Sequence, residues 1–167
     1  MTAARTQVLN HNQVRQKIRR MAFEIYENNF TEKSLVVAGI DGQGYALAKE
    51  LADAIEDIAP IKTSLARVYI NKETPEKGEV TLDVDQGAAK KQVVILVDDV
   101  LNSGRTLAYG MKPFLTMEVK KIEVAVLVNR SHPKFPIQPQ YTGYELSTTL
   151  SEHVTVVLGE KSVVYLH

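Results

Sequence analysis

The chain contains no cysteine and no tryptophan. Without cysteine there is no disulfide, no thiolate nucleophile and no sulfur-ligated metal, which fits a reducing compartment. Excess charge is absent too: 20 basic residues balance 20 acidic ones, so net charge gives no argument for nucleic acid or an anionic membrane as partner. No apolar run approaches the roughly 20 residues of a membrane span, and the opening Met1-Thr2-Ala3-Ala4-Arg5-Thr6 lacks the apolar centre of a signal peptide. A cytoplasmic location with no membrane partner is the resulting expectation. The four histidines, His11, His132, His153 and His167, are scattered without metal-ligand spacing. Neither a G-x-x-x-x-G-K-[ST] loop nor a G-x-S-x-G elbow occurs, and Ser103 has no histidine nearby in the sequence, so a P-loop kinase and a serine hydrolase are unsupported. Internal repeats and low-complexity segments are missing as well. What remains is an ordinary composition of 44% hydrophobic and 24% charged residues over 167 positions, enough for one domain, 1–167, with a sizeable core.

The order of elements is readable from periodicity. Residues 1–10 read as an N-terminal arm that pairs with a sheet edge. Asn12 is a candidate cap for a helix with Val14, Ile18, Met21, Ala22 and Ile25 on one face. Arg15, Lys17, Arg19 and Arg20 make its other faces basic, which reads as a solvated surface. Leu35 to Ile40 is a buried strand, and Asp41-Gly42-Gln43-Gly44 turns into a helix with Leu47, Ala48, Leu51, Ala52, Ile55 and Ile58 inward and Pro60 past its end. Strands are expected at 63–70 and 79–84, separated by the polar, turn-rich stretch 71–78. Further strands follow at 122–128, 154–158 and 163–166, with a Pro-rich polar stretch at 131–140. Alternating strands and helices imply an α/β fold, a Rossmann-like, mainly parallel central sheet covered by helices on both faces. Ligands of such sheets sit at the carboxyl ends of the strands, which gathers the loops 41–44, 71–78, 98–106 and 129–135 around one site.

The most informative stretch runs from Val93 to Thr106. Val93-Val94-Ile95-Leu96-Val97 has five apolar residues, four of them β-branched, and reads as a buried strand closed by Asp98 and Asp99. Asn102, Ser103 and Gly104 supply turn chemistry. From Arg105 the pattern is helical, with Leu107, Met111, Phe114 and Leu115 on one face. The loop N–H groups and the helix start favour an anion, while the carboxylates behind them favour hydroxyl donors or Mg²⁺. A ribose 5-phosphate carrying further phosphates meets both demands.

These residues resemble the phosphoribosyl-pyrophosphate (PRPP) motif of the type I phosphoribosyltransferases: a hydrophobic strand, two acids and a short loop, ending here in Ser103-Gly104-Arg105-Thr106. The likeness extends to Ala125-Val126-Leu127-Val128-Asn129-Arg130-Ser131-His132, Pro136-Ile137, Tyr141-Thr142-Gly143 and Ser151-Glu152. These are similar to the subfamily of pyrimidine-operon attenuation regulators that are also uracil phosphoribosyltransferases (PyrR-type). The resemblance covers nearly the whole chain. It implies a flap hairpin and a small C-terminal hood on the central sheet, with 70–80 as a mobile flap and 129–152 as the base-pocket and hood region. It also implies that Asp98 and Asp99 are the catalytic acids holding the ribose hydroxyls, directly or through Mg²⁺. Asn102, Ser103, Gly104, Arg105 and Thr106 would bind the 5-phosphate, and Ile40, Asp41, Gly42, Gln43 and Gly44 would form the pyrophosphate loop. Val100, Asn129, Arg130 and His132 would line the base pocket, with Tyr141 packing beneath. The implied reaction transfers the ribose 5-phosphate of PRPP to a nucleobase, uracil by subfamily, with Mg²⁺ as cofactor and a homodimer or homotetramer as assembly.

Three departures stand against this pattern. The family usually carries a Lys-x-Arg-Gly-like turn where this chain has Asp41-Gly42-Gln43-Gly44, an arginine where Ile70 stands, and an acid where Asn129 stands. Losing one electrostatic donor at a developing charge typically costs on the order of 10²–10³ in rate. The alternative is therefore a catalytically weak regulator that senses PRPP or nucleotides, with RNA as a further partner that the charge does not indicate. In a different class, Gly39-x-x-Gly42-x-Gly44 lies between a strand and a helix like a dinucleotide fingerprint. Its spacing is wrong, and no acid follows about 20 residues on.

Overall fold

The computed structural model describes residues 4–85 and 87–167. A six-stranded sheet with the order β4-β3-β2-β5-β6-β7 forms the centre: β2 (Ser34–Ile40), β3 (Lys62–Tyr69), β4 (Thr81–Leu82), β5 (Val93–Leu101), β6 (Lys121–Asn129) and β7 (Tyr141–Glu145). All neighbours are parallel except β4, which returns antiparallel on β3 through Val68↔Leu82 and Tyr69↔Thr81. The α/β reading holds, with α1 (His11–Asn28) and α2 (Gln43–Ile58) on one face. Their apolar stripes meet Val37, Ile95, Val97, Ala125 and Leu127 in the larger core. Val36, Ala38, Val94, Leu96, Val124 and Val126 point the other way, onto α3 (Arg105–Gly110) and α4 (Lys112–Leu115) through Leu107 and Phe114. β2, β5 and β6 are buried on both faces, which is why they read as unbroken apolar runs.

A second, three-stranded antiparallel sheet has the order β1-β9-β8, from β1 (Thr6–Leu9), β9 (Val163–Leu166) and β8 (Val154–Val157). The N-terminal arm thus pairs with β9, while residues 1–3 lie outside the described residues. Leu9, Val156 and Val164 join the same core as α1 and α2, so the small sheet packs on the helical face.

Several expectations need correction. The cap of α1 is Asn10, not Asn12. Asn10 Oδ1 accepts the Gln13 N–H while Gln13 Oε1 accepts the Asn10 N–H, and this reciprocal box starts the helix two residues earlier. The expected helix from Arg105 through Leu115 is two short ones. Pro113 at the second position of α4 has no N–H to continue the earlier ladder, and the shift in direction leaves Leu115 70% exposed. The strand expected at 79–84 shortens to Thr81–Leu82. Residues 141–145, assigned to the hood region, form β7 of the central sheet instead. Tyr141 is fully buried against α1, its hydroxyl donating to Glu123 Oε1 at 2.9 Å. Gly143 permits this edge to close, since a Cβ there would stand 2.7 Å from the Leu127 carbonyl oxygen.

Candidate active site

The carboxyl ends of β2, β3 and β5 converge on the acid pair. Asp98 is buried, and its Oδ1 accepts the Asp99 N–H at 2.9 Å. Burial pushes the Asp98 carboxyl well above the ordinary carboxylate range, the Asp99 charge adds to the rise, and the Lys72 ammonium offsets part of it. Asp99 is half-buried. Both line a cavity of about 160 Å³ with Val100, residues 101–107, Val154 and Lys72. The cavity therefore joins the acid pair to the whole 102–106 loop, with Lys72, Val100 and Val154 also on its wall.

The loop has a built shape. Gly104 takes a left-handed φ of +85° and caps α3, and a side chain there would also meet Ile137 at 3.2 Å. The Ser103 carbonyl accepts from Lys134 N at 2.8 Å and Phe135 N at 3.1 Å, so the Pro-rich stretch is pinned under the loop. Ser103 Oγ accepts the Arg105 N–H at 3.3 Å. Thr106 lines the cavity. The Arg105 guanidinium turns away to the flap, pairing with the Glu76 carboxylate and reaching the Glu73 carbonyl at 3.5 Å. Asn71 Oδ1 accepts the N–H groups of Glu73 and Thr74, which shapes the turn that carries Lys72 over the cavity.

The 40–44 turn packs directly on the acid pair. A Cβ on Gly44 would stand 2.9 Å from Asp98 Oδ1, and Gly42 takes a φ of +96° at the start of α2. The Asp41 N–H donates to the Val68 carbonyl at 2.9 Å. Ile40 has its side chain in the core, and Gln43 is engaged elsewhere, its Oε1 accepting the Leu158 N–H at 2.9 Å. Asp41 faces Arg67 of β3 at 3.7 Å, and the Arg67 guanidinium stacks 4.0 Å from the Tyr45 ring centroid. A cation thus stands beside the turn, supplied by a neighbouring strand through the register Gly39↔Arg67.

The expected base-pocket residues are not all on the cavity. Val100 lines it. Asn129 lines an open groove of about 820 Å³ next to it, together with Leu101, Asn102 and the 133–139 stretch. Arg130 is buried and turned to the hood, donating to Thr148 Oγ1 at 3.0 Å, Asn102 Oδ1 at 2.7 Å, the Thr149 carbonyl at 3.3 Å and the Glu152 carbonyl. The His132 Nε2 lies 2.6 Å from the Thr148 carbonyl and so carries its proton there. Both side chains hold the hood instead of facing open space. Sequence reasoning missed Arg67, Glu76 and Val154. Charge placed next to a strand end was the one signal available for Arg67.

Among the described residues no group of three or more His, Asp or Glu side chains is arranged to enclose a metal. Two adjacent carboxylates suit Mg²⁺, which keeps several waters and binds through one or two carboxylates plus substrate phosphates. The donor set fits a metal that arrives with a phosphorylated ligand.

The family model described as phosphoribosyl transferase domain matches residues 4–160. The chain belongs to this family. Among curated phosphoribosyltransferase-family relatives, the bifunctional protein PyrR of Microcystis aeruginosa is 32% identical over 171 residues, covering 96% of this chain and 94% of that one. The PyrR of Bacillus subtilis is 34% identical over 167 residues, covering 92% and 90%. Solved structures agree on the fold. The hypoxanthine phosphoribosyltransferase of Trypanosoma cruzi superposes with a TM-score of 0.75 at 14% identity, covering 95% of each chain. A hypoxanthine-guanine phosphoribosyltransferase of Bacillus anthracis gives 0.68 at 18% identity, covering 85% and 84%. The phosphoribosyltransferase domain makes this a glycosyltransferase-type chain of a family that binds PRPP and a nucleobase.

Proposed function

We propose that the chain transfers the ribose 5-phosphate of PRPP to uracil and releases pyrophosphate. The observation that carries this reading is the single cavity joining the Asp98–Asp99 pair to the 102–106 loop. The loop N–H groups, with the hydroxyls of Ser103 and Thr106, hold the 5-phosphate. Asp98 and Asp99 hold the ribose hydroxyls and steady positive charge at the ring as the bond to pyrophosphate opens. Lys72 lies on the flap side of the acids, where the diphosphate extends, and the 70–80 flap excludes water as it settles. Asp98 and Asp99 would hold Mg²⁺ with the substrate's own oxygens, and the ion would neutralise charge on the departing pyrophosphate. The base nitrogen that attacks the anomeric carbon is acidic enough to need little help from a general base.

Uracil is supported by the PyrR relatives over nearly the full length. A second reading, a regulator that binds PRPP or a nucleotide with little turnover, is favoured by one observation: the 40–44 turn presents Asp41 and no cation of its own. Pyrophosphate release from PRPP and Mg²⁺ with each nucleobase in turn, alongside calorimetric PRPP affinity, separates the two. Release with uracil establishes the transferase. Tight PRPP binding without release on any base establishes the regulator, for which salt-dependent RNA binding is the next measurement. No PRPP binding removes both.

A further inference from the structure

Two of the four histidines meet across the small sheet. β8 and β9 pair antiparallel in the register Val154↔Leu166 and Thr155↔Tyr165. One step beyond, the His153 N–H donates to the His167 carbonyl at 2.7 Å and the His167 N–H donates to the His153 carbonyl at 2.9 Å. This reciprocal pair sets the two residues directly opposite each other. Val154, Val156 and Val164 pack inward on the core, so alternation along the strands puts His153 and His167 together on the outer face. Their rings stand 6.0 Å apart between centroids, with 41° between the planes. The two residues lie far apart along the chain, so spacing within the sequence conceals the pair.

Ring nitrogens are available there. His167 Nε2 lies 2.7 Å from Thr155 Oγ1, and an Nε2–H donated to that hydroxyl leaves the lone pair on Nδ1. An outer partner of this kind orients the ring of a metal-bound histidine. Among the described residues no hydrogen bond engages either ring nitrogen of His153, which is exposed. His11 and His132, by contrast, each tie a ring nitrogen to the backbone, at the Ser162 N–H and the Thr148 carbonyl. Two imidazoles on one tetrahedral ion, with bonds of about 2.0 Å, stand about 5 Å apart between ring centroids. The observed spacing reaches that value by a small rotation about the side-chain bonds.

We propose that His153 and His167 form a site for a divalent transition-metal ion, with water completing the coordination shell. Neutral imidazole suits Zn²⁺, Ni²⁺ and Cu²⁺, whereas Mg²⁺ prefers carboxylate and phosphate oxygens, so this site is chemically distinct from the Asp98–Asp99 pair. It stands on its own observations and does not rest on the proposed transferase reading. Its place gives it a lever on the hood. The Thr149 and Glu152 carbonyls, just before His153, accept from Arg130, and Val154, just after it, lines the cavity. A bound ion would pin the ends of β8 and β9 where the hood joins the small sheet.

Calorimetry with Ni²⁺ on the full chain, in excess Mg²⁺ to occupy carboxylate sites, tests the proposal. One ion per chain is expected to bind at about pH 7.5 and to be released toward about pH 5, where imidazole is protonated. Losing even an outer partner of a ligand costs about 10–100-fold in metal affinity, so His153→Gln and His167→Gln are each expected to weaken binding at least about tenfold. His11→Gln, on α1, is expected to stay within about twofold of the wild type. Ni²⁺ should also raise the wild-type Tm and leave that of His153→Gln and His167→Gln unmoved, while metal-free melts confirm that every variant folds. Paramagnetic broadening of the His153 and His167 imidazole proton resonances gives a readout free of mutation. Absence of Ni²⁺ binding overturns the proposal. So does wild-type affinity in either His153→Gln or His167→Gln, or broadening confined to His11 or His132.

Discussion

At the residue scale, the site has an unusual placement of positive charge. PRPP carries three phosphate groups, and the 40–44 turn contributes Asp41, Gln43 and two glycines to meet them. Arg67 stands against Asp41 and Tyr45, so the acid on the turn is neutralised but the guanidinium is occupied. Arg105 is held by Glu76. Lys72 is then the cation on the cavity wall that no acid holds in a salt bridge among the described residues. Hydrogen bonds to charged groups contribute roughly 1.5–3 kcal/mol. Lys72→Met is accordingly expected to weaken PRPP binding by about ten- to a hundredfold, with ribose 5-phosphate affected no more than about threefold. Titration of both ligands against the variant checks it. Equal weakening of the two would place Lys72 at the 5-phosphate, and no weakening would leave the diphosphate to Arg67.

At the scale of elements, two contacts fix how the flap and the helical face behave. Arg105 bridges the 102–106 loop to Glu76 and to the Glu73 carbonyl, so it fastens the flap over the cavity. Both side chains are more than a third exposed, and such pairs contribute no more than about 1 kcal/mol. Glu76→Gln should therefore leave Tm almost unchanged while amide exchange over residues 71–78 speeds up about two- to fivefold, read by mass spectrometry. In the groove between α1 and α2, Glu50 Oε2 is buried with no hydrogen-bond partner among the described residues, and burial raises its pKa against the opposing pull of Arg15 and His11 and with the support of Asp53. A carboxyl whose folded pKa is raised favours folding at low pH, and that favour is lost as pH rises through the folded value. Glu50→Gln should accordingly be more stable than the wild type at pH 7 and lose the advantage toward pH 4, below the ordinary glutamate value of 4.5. Paired melts at the two pH values decide it. The same scale explains what the sequence could and could not reveal. β5, α1 and α2 were legible because periods of 2 and 3.6 are local, and Asp98-Asp99 was legible because adjacency needs no fold. The choice of Asn10 over Asn12 turned on Gln13, also local and readable. The position of Lys72 beside Asp98, the pairing of Arg105 with Glu76 and the turning of Arg130 to Thr148 of the hood join residues 18 to 29 positions apart, and no window along the chain contains them.

At the scale of the molecule, polar order is divided between the two ends of the central sheet. The carboxyl ends hold the acid pair, the loop and the Arg130 clamp. Well away from them, Tyr141 OH donates to Glu123 Oε1 at 2.9 Å and accepts from Asn28 Nδ2 at 3.2 Å, while Asn29 Nδ2 donates to the same Glu123 oxygen at 2.9 Å. This buried network ties the end of α1 to β6 and β7. Tyr141 pairs with Ala125, four residues before the end of β6 at Asn129, so its removal should not disturb the site. Tyr141→Phe keeps the ring and its packing but takes a donor from a buried carboxylate, a change that costs about 1–3 kcal/mol. For a chain of this length each kcal/mol corresponds to about 2–4 °C in Tm. The variant is thus expected to melt several degrees lower yet bind PRPP within about twofold of the wild type. Stability unchanged by the substitution would mean that Asn28, Asn29 and Lys121 satisfy Glu123 unaided. A loss of PRPP affinity in parallel with the fall in Tm would mean that the two ends of the sheet are coupled, so that the scaffold and the site could not be altered separately.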